Sequence, residues 1–103
     1  MIQADQFTNV PSELLLAFSS VDDGSVLDRS IGVHNPSIVA NREAITNHLG
    51  ISYRDTVYQR IIYVDNSNYS SIAEVDSRST SAHTSEIVAD ALFTKSKNVA
   101  LFF

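Results

Sequence analysis

The sequence contains no cysteine, which excludes both disulfides and thiolate metal ligands. Its three glycines, Gly24, Gly32 and Gly50, are too scattered to build a phosphate-cradling Gly-rich loop, and no Gly-x-Ser-x-Gly nucleophile elbow is present. Basic residues are scarce, 7 Lys and Arg against 12 Asp and Glu, for a net charge of −5. That balance, with no basic cluster, argues against a nucleic acid or an anionic membrane surface as partner. No apolar run approaches the roughly 20 residues needed to span a bilayer. The opening stretch "MIQADQFTNVPSE" has neither the basic start nor the apolar core of a signal peptide. A cytoplasmic origin is therefore expected, and the match of Asn68-Tyr69-Ser70 to a glycosylation acceptor is read as chance.

What is present is an ordinary globular composition. Hydrophobic residues make up 44% of 103 and charged residues 18%, enough for a core in one domain or part of one. "LLLAFSS", Leu14 to Ser20, reads as a short apolar strand running into the turn chemistry of Asp22-Asp23-Gly24. "NPSIVANREAITNHLG" reads as a helix. Asn35 suits the N-cap, Pro36 the first helical position and Gly50 the left-handed residue past the end. Ile38, Ile45 and Leu49, joined by Val39, fall on one face of it. Asp55 to Asp65 is rich in β-branched and aromatic residues and reads as a strand. Ser71 to Asp76 alternates as a half-buried strand does. The Ser- and Thr-dominated stretch Ser77 to Ser85 reads as a mobile loop. "EIVADALFT" fits either a helical turn or an extended segment. After the turn "KSKN", "VALFF" begins another strand. Strands interleaved with a helix predict an α/β class, layered in the manner of α+β domains, with a mixed sheet flanked by helices.

Few residues offer chemistry. His48 stands near a helix C-terminus, where an imidazole is simply favourable, and His83 lies in the polar loop. His34 sits in a loop just before the helix cap, the kind of place that carries function. No histidine pair has the i,i+4 spacing of a helical metal site. Asp65-Asn66-Ser67-Asn68 starts like a calcium loop, but Tyr69 and Ser70 occupy the ligand and glycine positions that follow. The residues alone assemble no active site.

Taken in order, several stretches resemble the N-terminal half of the laccase-domain family. These proteins are also called multi-copper polyphenol oxidase-like, and members act as purine nucleoside phosphorylases. "AFSSVDDGS" resembles the family's opening strand and glycine turn. "SIGVHNPSIVANREAITNHLGI" resembles its Gly-Leu-His segment and Asn-Arg helix, and "VYQRIIYVD" falls where a strand carries Gln-Val-His-Gly. "VADALFTKSKNVALFF" resembles its Ala-Asp-Ala-Leu-Val-Thr strand and the start of the next. The resemblance spans about residues 14 to 103 and matches at His34, Asn41, Arg42, Ala89, Asp90 and Thr94. It implies purine nucleoside and phosphate as substrates, with adenosine deamination as a companion activity, and with His34, Asn41 and Arg42 on the substrate side. Asn41 and Arg42 can also brace the helix, and Asp90 and Thr94 can hold loop backbone.

In the family the next residues are Thr-Ala-Asp-Cys and, later, His-Ala-Gly-Trp. That Cys and His join the histidine of Gln-Val-His-Gly around zinc or copper. Here Arg60, Ile61, Ile62 and Tyr63 occupy the Gln-Val-His-Gly positions, so Ile62, with no lone pair to give, replaces the metal-binding histidine. Val21 stands where the family usually has Arg. The resemblance thus implies the N-terminal part of a divergent member, inactive and without metal by itself. The alternative is a small non-catalytic α/β protein, complete at 103 residues, that works by binding or oligomerisation. Under either reading the apolar strand Val99 to Phe103 is expected to join copies into a homo-oligomer.

Overall fold

The structure, a computed structural model, describes residues 2–3, 11, 13–27, 35–61 and 71–103. The chain divides into two compact units, Met1–Leu49 and Gly50–Phe103.

In the first unit β1 (Ile2–Gln3) pairs antiparallel with β2 (Ala17–Phe18), Ile2 opposite Phe18. The apolar run from Leu14 therefore contributes only two residues of strand, and Leu14 and Leu15 are exposed. A single 3-10 turn, Val21–Asp23, follows. Helix α1 (Pro36–His48) starts where its sequence signals place it. The Asn35 side chain accepts from the Ser37 N–H at 2.9 Å, satisfying one of the orphan donors of the first turn, and Pro36 loses no bond there. At the other end the Leu49 N–H bonds to the Ile45 carbonyl, and Gly50 takes φ +74°.

The buried row of α1 differs from a purely apolar stripe. Ile38 and Ile45 are buried as expected and Val39 and Leu49 are half-buried, but Arg42 and Thr46 complete the row. Positions 38, 42, 45, 46 and 49 recur at the three- and four-residue steps of one helix face. Thr46 satisfies its hydroxyl on the Glu43 carbonyl at 3.0 Å.

The second unit is built on β3 (Thr56–Arg60), which enters from a 3-10 turn at Tyr53–Asp55 capped by Ser52. β3 is the middle strand of a parallel sheet, between β5 (Ile87–Val88) and β7 (Ala100–Phe102). Gln59 pairs with Ile87 on one side, and Val57 with Leu101 on the other. β4 (Ile72–Val75) and β6 (Ala91–Thr94) form a second parallel pair, with Val75 opposite Thr94. The described residues thus combine one α-helix with parallel and antiparallel pairing, an α/β arrangement, spread over three small sheets.

Thr56, Val57 and Tyr58 are buried in succession, as a central parallel strand covered on both faces requires. Val57 faces a cluster with Val75, Ala89 and Leu92. The Tyr58 ring lies against Tyr53 and Phe102, each centroid 5.0 Å away. Neighbouring residues of one strand thus serve different packings, as a period of two demands.

"EIVADALFT" is extended. Its two strands β5 and β6 are separated only by Ala89 and Asp90, so the chain passes from one sheet to the other within two residues. Gln59 Nε2 donates to the Ala89 carbonyl at 2.9 Å, and the Ala89 N–H reaches the Arg60 carbonyl at 3.2 Å. The Ser- and Thr-rich stretch after β4, expected to be loose, is a hydrogen-bonded turn. Thr80 is buried with its hydroxyl on the Ser77 carbonyl, Ser81 N–H donates to the Thr56 carbonyl and Ser81 Oγ to that of Tyr53. Short hydroxyl side chains that bond nearby backbone give such segments a defined path outside helix and strand.

The "KSKN" turn has Asn98 at φ +60°. β7 then bonds to β3 along one side, and no described strand lies along its other side. Ala100 to Phe102 are half-buried, while Phe103 is exposed. Among the described residues no helix is long and apolar enough to cross a membrane.

Candidate functional site

Of the residues that the resemblance puts on the substrate side, Asn41 and Arg42 lie on α1, where they meet the segment Ser20–Leu27. Ser20 and Asp23 close the short turn: Asp23 Oδ2 accepts from the Ser20 N–H at 2.7 Å and from Ser20 Oγ at 3.2 Å. The Ser20 backbone N–H is the main reason that the Asp23 carboxyl is held below the ordinary carboxylate range. Ser-x-x-Asp before a turn is a sequence signature of such a box, and it was legible in "SVDD".

Gly24 takes φ +81° and ψ −179°, a region that essentially only glycine occupies. It also lies close against the helix, since a Cβ there would lie 2.7 Å from Asn41 Nδ2. Beyond it, two consecutive helix residues fasten two consecutive carbonyls. Asn41 Nδ2 donates to the Ser25 carbonyl at 2.8 Å, and Arg42 Nε donates to the Val26 carbonyl at 2.8 Å. Arg42 is 3% exposed. A buried guanidinium demands acceptors, and a loop whose carbonyls lack a ladder partner supplies them.

An open groove of about 1180 Å³ runs between this segment and the start of α1. Val21, Val26, Leu27 and Ile38 give it apolar lining; Ser20, Ser25, Asn35, Ser37 and Asn41 give it neutral polar groups. These side chains can hold a small ligand by contact and hydrogen bonding, but none of them is a general acid or base near neutral pH.

The other implied positions are distributed. His34 and Ile62 lie outside the described residues, as does Tyr63. Asn41 and Arg42 are neighbours on α1, Arg42 buried and Asn41 half-buried. Val21, at the family's Arg position, is 96% exposed. At the end of β3, Arg60 pairs with Glu86 at 3.5 Å and Ile61 is exposed. Asp90 Oδ2 accepts from the Ser71 N–H at 2.9 Å and from Ser71 Oγ at 3.1 Å. Thr94 Oγ1 donates to the Val75 carbonyl at 2.7 Å and accepts from the Ser96 N–H at 3.0 Å. Ala89 is buried in the cluster around Val57. The approach of Gly24 to Asn41 and the Arg60–Glu86 pair had no signal in the sequence, because each joins residues whose proximity only the fold decides.

Among the described residues no ligand set stands ready for the zinc or copper of the family that the sequence resembles. His48 is exposed at the C-terminal end of α1, and His83 is exposed in the turn after β4, in the other unit. Among the described residues no three of His, Cys, Asp and Glu group as a metal site would require.

Two expectations follow from this geometry. Gly24→Ala and Gly50→Ala both place a Cβ at positive φ, but the space around Gly50 is open. Gly50→Ala should cost about 1 kcal/mol from backbone strain, and Gly24→Ala clearly more, because it also displaces the Asn41 amide; urea unfolding compares them, and equal losses would contradict the close approach. The purified 103-residue chain should retain no stoichiometric zinc or copper after dialysis. One equivalent found by elemental analysis would show histidines converging.

Comparison with family models, with curated proteins and with solved structures found no match for this chain.

Proposed function

We propose that the chain is the N-terminal part of a divergent laccase-type domain whose full-length form cleaves purine nucleosides with phosphate, in the cytoplasm. In that reaction the bond between the purine and the ribose C1′ breaks, a phosphate oxygen takes its place, and the base leaves with a proton.

The observation that carries the reading is what the matched residues do. Asn41, Arg42, Asp90 and Thr94 are matches to the family pattern, and each fastens a distant chain segment through its side chain. Residues that tie segments 16 to 19 positions away are what a shared fold retains, whatever happens to its catalytic groups. The elements support it as well. The stretches likened to the glycine turn, the Asn-Arg helix and the three later strands occur as turn, helix and strands in that order.

In this reading His34 contacts the nucleoside. Asn41 and Arg42 stand behind the site, holding the Ser25–Val26 wall of the groove with their amide and guanidinium donors. Zinc or copper, in members that keep it, would supply Lewis-acid chemistry. The part this reading gives to the described residues is binding and positioning.

The test is the reading frame beyond Phe103, followed by assay. The reading requires Ala-Asp-Cys shortly after Phe103 and His-Ala-Gly-Trp further on. A stop codon at that point contradicts it and favours the non-catalytic alternative. The 103-residue chain should release no base from adenosine or inosine in phosphate, and turnover above a heat-killed control would overturn its assignment as an inactive part.

The same reading gives β7 further strands to pair with in the full-length domain. Without them, the β7 edge along which no described strand lies and Phe103, which is 77% exposed, should draw two copies of the 103-residue chain together. Burying one Phe side chain is worth roughly 1.5–3 kcal/mol. Light scattering should report a dimer or larger that Phe102→Asp with Phe103→Asp dissociates. A wild-type monomer at high concentration would contradict it.

A further inference from the structure

We draw no further inference here: the strongest candidate, the outward face of the β4–β6 sheet, where Ile72 and Phe93 are exposed beside the Lys95–Glu74 ion pair, is an apolar face for which nothing in the structure shows what covers it.

Discussion

The hydrogen bond from Arg42 Nε to the Val26 carbonyl is the constraint on which the first unit rests. Helix α1 buries only two apolar side chains, Ile38 and Ile45. Between them sits a guanidinium that cannot lose its charge and so must be satisfied where it is buried. The Val26 carbonyl meets part of that demand, and Asn41 meets the neighbouring Ser25 carbonyl. Gly24, at φ +81°, leaves room for the Asn41 amide that reaches this segment. From this contact follow the path of the Ser20–Leu27 segment and the groove beside it.

The second unit solves the same problem by other means. Its centre, β3, is bonded by strands on both sides, and its remaining attachments are short polar ones. Ser81 ties the turn after β4 to Thr56 and Tyr53, and Gln59 holds the point where β5 gives way to β6. Thr94 then ties the end of β6 to the end of β4, and Asp90 holds Ser71 at the start of the same pair. Such bonds contribute about 1 kcal/mol each, so they select a path for the chain more than they drive its collapse. The cluster around Val57 supplies the apolar burial.

Much of this was legible in the sequence where the signal is local. The N-cap Asn35, Pro36 and the terminal Gly50 fixed α1 closely, because capping depends on adjacent residues. The β-branched and aromatic run Asp55 to Asp65 marked β3, which spans Thr56–Arg60, while residues 62–65 lie outside the described residues. The failures also have physical causes. "LLLAFSS" is apolar enough for a long strand, yet a strand needs a partner, and its pairing with Ile2–Gln3 extends over two residues. Periodicity could not decide "EIVADALFT", because a strand that changes sheets after two residues breaks the alternation that would reveal it. The hydroxyl-rich turn looked loose because composition cannot show which backbone groups its side chains will meet. On α1, counting apolar residues passed over Arg42, whose place in the buried row depends on a carbonyl 16 positions earlier.

For the site, the resemblance drew attention to Asn41 and Arg42 as residues near a substrate, and the structure gives their side chains to the loop. That makes them agents of shape: their bonds to the Ser25 and Val26 carbonyls hold one wall of the groove. The most direct measurement of this role is hydrogen exchange across α1, with urea unfolding, in Arg42→Met and Arg42→Lys. Neither replacement has the Nε–H aligned on Val26. If the bond holds the unit together, Arg42→Met should lose about 1–3 kcal/mol, Arg42→Lys should fail to restore it, and protection of the α1 amides should fall in both. Unchanged protection and stability in Arg42→Met would contradict the account.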